Sequence, residues 1–277
     1  MSRVTARRRM VRITPAGEIR RPDSLAVEEP LELRIDGQSL TVTMRTPGND
    51  VDLAHGFLLS ENIIGVADDI VSARYCAGTD DDGRNTYNVL DIRLRTATPI
   101  VARSFTTTSA CGLCGKTALA EVHARSRYPL PADGPEVDAA VLAALPGELR
   151  SRQAVFDATG GLHAAGLFTV DGEALVVRED VGRHNAVDKV IGWALRENRV
   201  PAGDVVLVVS GRASFELVQK AVMAGIPMLA AVSAPSSLAV DLAADSGLTL
   251  AGFVRGETMN IYTGAHRVVR RSATLAI

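Results

Sequence analysis

The chain has 277 residues, of which 47% are apolar and 22% charged, with a net charge of −2. That length allows one large domain or two smaller ones, and the near-neutral charge argues against nucleic acid or a membrane surface as the main partner. No stretch is apolar over the ~20 residues a membrane helix needs. Three cysteines are too few, and odd in number, for a disulfide framework, so a reducing, cytoplasmic setting is expected.

In chain order, Arg3, Arg7, Arg8, Arg9 and Arg12 open the sequence with no apolar stretch behind them. This composition predicts a solvated, flexible basic arm over residues 1–25 rather than a secretory signal. A smaller β-rich portion follows over 26–126. Leu31 to Ile35 and Ser39 to Met44 alternate across Asp36-Gly37, the pattern of a hairpin. Asp50 is placed to cap a helix through Leu53, Phe57 and Leu59. Ile70 to Ala77 and Asn88 to Leu94 read as strands, and Thr117 to Arg125 as a helix.

Residues 127–135 have linker composition, and an α/β portion is expected over 136–266, with a tail over 267–277. It begins with a helix over Val137 to Leu145. A hairpin then turns at Asp171-Gly172, and a helix over His184 to Glu197 follows. Next comes a β-α-β-α-β run, with strands at Val205 to Val209, Met228 to Val232 and Leu248 to Val254. Its strands should be parallel, with right-handed crossovers. The fold class is therefore α/β, with a mostly parallel C-terminal unit.

Of the 30 basic side chains only Lys116, Lys189 and Lys220 are lysines. A lysine kept against an arginine background suggests a need for the compact ammonium. Each falls within a stretch that stands out on other grounds.

The first of these is Cys111-Gly112-Leu113-Cys114-Gly115-Lys116. Flanking glycines, a following helix and the nearby lysine all favour thiolate, the nucleophilic form. A lone CxxC serves redox exchange, half a zinc site or persulfide chemistry. Zinc needs two more ligands, and no second paired motif offers them. None of the five histidines is followed by x-Glu, which argues against a zinc deaminase. No permanently bound metal is expected. Buried, inert cysteines are the bland alternative, disfavoured by the polar and glycine-rich surroundings.

The second stretch runs from Arg178 to Lys189, with alternating charges around His184 between a strand end and a helix start. A histidine packed among Arg183, Asn185 and Asp188 suits an anionic ligand better than a purely structural role. The third is a pair of strand-to-helix loops, Ser210 to Ser214 and Ser233 to Ser237, with Gly252 to Gly256 ending the next strand. Loops at the carboxyl ends of parallel strands bind ligands. Their small hydroxyl residues and Arg212 suit phosphate. Neither loop carries an ordinary dinucleotide or triphosphate fingerprint.

These stretches, with Met44 to Gly48 and Thr159 to Ala165, resemble the formate dehydrogenase accessory sulfurtransferase family, over about Glu28 to Tyr262. The resemblance implies a sulfur carrier that takes persulfide sulfur from a cysteine desulfurase and passes it to a molybdenum or tungsten cofactor. That bound acceptor is bis(molybdopterin guanine dinucleotide) for formate dehydrogenase. It implies Cys111 as the persulfide residue with Cys114 beside it. Phe253, Val254, Arg255, Gly256, Glu257 and Thr258 are implied as part of the cofactor surface, where Arg212 and His184 are expected to join them. A cytidine-deaminase-like main domain and a homodimer are implied as well. The alternatives are a cofactor-binding chaperone without sulfur chemistry and a CxxC thiol-disulfide oxidoreductase.

Overall fold

The computed structural model describes residues 4–76, 86–96 and 126–270. Cys111, Cys114, Lys116 and the helix expected over Thr117 to Arg125 lie outside the described residues.

The basic segment departs from the expected arm. Strands β1 (Thr5–Thr14) and β2 (Gly17–Ala26) pair antiparallel over their full length, from Thr5 opposite Ala26 to Thr14 opposite Gly17. Gly17 takes the turn with φ of 124°, a conformation that L side chains rarely adopt. Arg8 stands opposite Asp23, so one of the arginines faces a carboxylate across the ribbon.

A four-stranded sheet follows in the order β4-β3-β6-β5. Its strands are β3 (Glu29–Ile35), β4 (Gln38–Arg45), β5 (Ile70–Tyr75) and β6 (Val89–Leu94). The β3–β4 hairpin turns where the sequence places it, at Asp36 and Gly37, both with positive φ. Helix α1 (Asp50–Ser60) crosses between β4 and β5. Asp50 starts α1 but does not cap it. Asn49 holds the cap position in the left-handed conformation, and the Asp50 carboxylate is committed to Arg45.

The six-stranded sheet has the order β13-β12-β11-β10-β8-β9. It is built from β8 (His163–Thr169), β9 (Ala174–Asp180), β10 (Val205–Val209), β11 (Met228–Ala231), β12 (Thr249–Arg255) and β13 (Thr258–Thr263). The central strands β10, β11 and β12 are parallel, as the β-α-β-α-β pattern predicts, and the flanking strands are antiparallel. All five β10 residues are buried, which fits a strand covered on both faces. Two short strands, β7 (Val137–Asp138) and β14 (Val268–Val269), pair apart from this sheet.

The strand period of two divides the core. Leu207, Val209, Leu229 and Leu250 face one cluster with Leu31, Leu53, Val187 and Leu217. Val206, Val208, Met228 and Ala230 face the other with Leu142, Leu145 and Leu149. The first cluster is filled by α1, α4 (Arg183–Arg196), α5 (Phe215–Met223) and α6 (Ser237–Ser246), and the second by α2 (Ala139–Ser151). A short α3 (Ala154–Thr159) follows α2. Because the first cluster joins Leu31 and Leu33 to Leu248 and Leu250, one core runs across the expected division between 26–126 and 136–266.

Helix α2 runs past the expected end at Leu145, through Pro146 to Ser151. Leu145 and Leu149 remain on its buried face, so packing outweighs the lost backbone donor. Helices α1 and α4 meet almost backbone to backbone. A methyl group on Gly56 would collide with the Asp188 carbonyl, and one on Gly192 with the Asp52 carbonyl. Among the described residues no helix is long and apolar enough to cross a membrane.

Candidate functional site

The carboxyl ends of β10, β11 and β12 lie side by side, and their loops are joined in series by main-chain hydrogen bonds. The Ala213 N–H donates to the Ala234 carbonyl (3.2 Å), Ser233 to Gly211 (3.3 Å) and Ser236 to Ala213 (3.0 Å). Phe253 in turn donates to the Ser233 carbonyl at 3.2 Å, and Arg255 Nε to the Val232 carbonyl at 3.2 Å. A methyl on Gly252 would press on Pro235 and Tyr262, so the glycine lets the third loop approach the second. The three loops that the sequence singles out thus form one continuous rim.

The start of β8 and the start of α4 border this rim. The Ser210 N–H donates to the Ala164 carbonyl, and the Ser210 hydroxyl accepts from the Ala164 N–H at 2.9 Å. His163 and Arg183 both approach Gly211. His184 Nε2 lies 3.4 Å from the Ser214 hydroxyl and 3.7 Å from Glu216 Oε2. Two imidazoles (His163 and His184), two arginines (Arg183 and Arg212), two serines (Ser210 and Ser214) and the Glu216 carboxylate therefore gather at or beside the loop after β10. Burial, with Arg183 and His184 nearby, keeps the His163 ring below its ordinary pKa and so neutral at pH 7. The His184 imidazole beside it, helped by Ser214, outweighs burial and lowers the Glu216 pKa from 4.5 to about 2.

A depressed carboxylate contributes stability above its ordinary pKa and loses it as pH falls toward the folded value. Glu216 is half-exposed, so its contribution is expected at about 1 kcal/mol. Urea denaturation of Glu216→Gln and the parent should therefore converge between pH 4.5 and about 2. Parallel curves over that range would contradict the pairing.

Under the rim lies a buried polar lattice. Asp180 is fully buried, and Lys189 is 1% exposed with its Nζ 2.7 Å from Asp180 Oδ2. The Asp180 carboxylate also accepts from the N–H groups of Thr46 (3.1 Å) and Gly182 (2.8 Å), and from Asn185 Nδ2 (3.1 Å). The Lys189 ammonium reaches the Thr46 and Glu179 carbonyls as well, and Asn185 donates to the Met44 carbonyl. A charge this deep is tolerated only when paired and fully hydrogen-bonded. Two sequence stretches, Met44 to Gly48 and Arg178 to Lys189, are thereby one structural unit that holds the start of α4 against β4.

Two further pairs extend the lattice. Lys220 Nζ lies 2.7 and 2.9 Å from the Asp188 oxygens, and the Ser60 hydroxyl donates to the same carboxylate. Arg45 clasps Asp50 with two nitrogens, at 3.2 and 3.0 Å, and Tyr75 donates its hydroxyl to Asp50. Both described lysines are thus buried counter-ions rather than ligand groups, which gives their compact ammonium a structural use.

The expected site residues fall into three groups. Arg212 and His184 stand at the loop after β10, with Arg212 exposed. Phe253, Arg255, Gly256, Glu257 and Thr258 are exposed at the β12–β13 turn, beside the second loop. Phe253 takes a left-handed φ of 52° and stays 38% exposed, with the Arg255 guanidinium 5.9 Å from its ring. Val254, by contrast, is fully buried against the α2 side of the sheet, so its side chain faces the core. Cys111 and Cys114 lie outside the described residues. Sequence reasoning gave no role to His163, although it falls inside the quoted Thr159 to Ala165 stretch, nor to Glu216, two residues beyond the Ser210 to Ser214 loop. Among the described residues no group of three or more His, Cys, Asp or Glu side chains is arranged to hold a metal ion.

A family model described as the FdhD/NarQ family matches residues 26–269. A protein of Nocardia farcinica named sulfur carrier protein FdhD is 76% identical over 271 residues, covering 98% of this chain and 97% of its own. Proteins of the same name from Mycolicibacterium paratuberculosis and Mycobacterium tuberculosis are 61% and 54% identical, covering 96% and 97% of this chain and 99% and 100% of their own. The crystal structure of a candidate formate dehydrogenase accessory protein from Desulfotalea psychrophila has the same fold. It superposes with a TM-score of 0.76 at 23% identity, covering 96% of this chain and all of that one.

Proposed function

The chain belongs to the FdhD/NarQ family, and on that premise we propose that it is a sulfur carrier serving formate dehydrogenase. In this reading Cys111 accepts persulfide sulfur from a cysteine desulfurase. The sulfur then passes to the molybdenum cofactor, a bis(molybdopterin guanine dinucleotide) that is substrate here rather than resident cofactor. The name shared by close relatives supports the carrier role. The continuous rim of three loops supports an anionic, nucleotide-bearing acceptor. A simple dithiol oxidoreductase has no use for such a rim. The likeness of the main domain to cytidine deaminases belongs to the same reading.

The chemistry of loading is a thiol exchange. Cys111 thiolate attacks the outer sulfur of the donor persulfide, and a new S–S bond forms as the donor's own S–S bond breaks. The electron pair leaves with the donor cysteine as thiolate. Lys116 and the glycines around the pair favour the attacking thiolate. At the rim, exposed Arg212 and Arg255 suit the pyrophosphate groups. His184 with Glu216 presents a polar edge, and half-exposed Phe253 a flat apolar surface. Desulfurase supplied with isotopically labelled cysteine should deliver label to formate dehydrogenase only when this chain is present. Equal delivery without it would overturn the reading.

A further inference from the structure

The β1–β2 ribbon has no place in the sulfur chemistry. It forms a sheet of only two strands, joined to no other strand among the described residues. Its main packing contact outside itself is α3, with Ala26 against Gly161 at its base. The charge of −2 on the whole chain conceals how uneven this segment is. Arg7, Arg8, Arg9, Arg12, Arg20 and Arg21 against Glu18 and Asp23 give residues 5–26 a net charge of +4, so the remainder carries −6. Four large apolar side chains stand open among the arginines: Val11 (49% exposed), Ile13 (79%), Ile19 (52%) and Leu25 (45%).

Paired residues share a face, and the faces alternate along each strand. Val11 and Ile13 therefore lie on one face with Arg7, Arg9 and Arg20, and Ile19 and Leu25 on the other with Arg8, Arg12 and Arg21. All six arginines are exposed, as are Pro15 and Ala16 at the turn. Each face thus carries two open apolar side chains and three cations. We propose that the ribbon is a contact for an anionic phospholipid surface, with its turn and apolar side chains set among the headgroups. This inference stands apart from the sulfur reading and would survive its failure.

The two-sided pattern selects this occupant. A folded partner laid on the ribbon covers one face and leaves the apolar pair of the other in water, whereas headgroups surround both faces at once. Attachment of this kind grows with the apolar area buried and with attraction to anionic lipid. Arginine suits the position, because its guanidinium pairs with phosphate through two N–H groups while its methylenes lie along apolar surface. Ten residues per strand make a ribbon about 34 Å long, but a two-stranded sheet has two open edges, which the hydrocarbon interior excludes. The ribbon therefore lies in the headgroup layer, where water and phosphate satisfy those edges. The net −6 of the remaining chain repels an anionic surface, so the ribbon alone turns toward the lipid.

Co-sedimentation of the full chain with vesicles of phosphatidylcholine, with and without phosphatidylglycerol, tests the proposal. The parent is expected to bind the anionic vesicles, more weakly at high salt, and to leave pure phosphatidylcholine largely in solution. Ile13→Asp with Ile19→Asp, and separately Arg8→Glu with Arg12→Glu, should each weaken binding at least about tenfold. Both variants should keep the thermal unfolding of the parent, since the ribbon lies outside the two core clusters. Amide exchange gives a second measurement on the unaltered chain: protection over residues 5–26 should rise when anionic vesicles are added. A parent that ignores anionic vesicles, variants that bind them as tightly as the parent, or ribbon amides indifferent to them would each overturn the proposal. So would ribbon protection that rises with protein concentration alone, or a ribbon that binds duplex DNA and not vesicles.

Discussion

Asp180→Ala is expected to destabilise the fold by about 3–5 kcal/mol, because it leaves the Lys189 ammonium buried without its counter-ion. The carboxylate gathers four donors from two stretches of the chain: the Thr46 N–H, and the Gly182 N–H, Asn185 Nδ2 and Lys189 Nζ. Removing it leaves the Thr46 and Gly182 N–H groups without their acceptor, and leaves the Lys189 ammonium with carbonyl oxygens alone, in a buried region. Asp180→Leu combined with Lys189→Met should cost less than the sum of the two single changes, since the orphaned charge disappears with its partner. Chemical denaturation of the four proteins measures the coupling. A loss below about 1 kcal/mol for Asp180→Ala, the value of an exposed pair, would contradict the burial described. Loss of ligand binding should accompany destabilisation, because the same lattice fixes the start of α4, where His184 and Arg183 stand.

Cys111→Ser separates chemistry from fold. Serine keeps the size and polarity of the side chain but offers no thiolate, so sulfur acceptance has no nucleophile. Recovery of formate dehydrogenase activity in cells that lack the parent chain should fall by on the order of a thousandfold, as when a nucleophile is removed elsewhere. Thermal unfolding and guanine nucleotide binding should match the parent. Activity within about twofold of the parent would remove Cys111 from the mechanism.

Local patterns made much of this architecture legible in the sequence. The β10 to β12 run was readable because each buried strand is bounded by a small-residue loop and followed by a helical repeat. The β3–β4 turn was readable because Asp36-Gly37 suits the positive φ at both positions. Pairings across long separations were not readable. Nothing near Asp180 announces that Thr46, 134 residues earlier, donates to it. Asp50 looked like a helix cap because Arg45, its true partner, lies on the preceding strand. The ribbon was hidden by its arginines, which read as a solvated arm. The signal that could have revealed it is Pro15-Ala16-Gly17, a turn set between two stretches of equal length. At the site, His184 stood out through its charged neighbours. Glu216 entered only because α5 starts beside α4, a contact fixed by the Lys220–Asp188 pair.

The central claim is that Cys111 carries sulfur on its way to formate dehydrogenase. Its most direct test is intact-mass measurement of the chain after incubation with a cysteine desulfurase and cysteine, followed by peptide mapping of the added mass. One extra sulfur atom is expected on the peptide with Cys111, removed by a reducing thiol and absent from Cys111→Ser. An unmodified chain that still binds guanine nucleotide, or a Cys111–Cys114 disulfide in place of the persulfide, would contradict it.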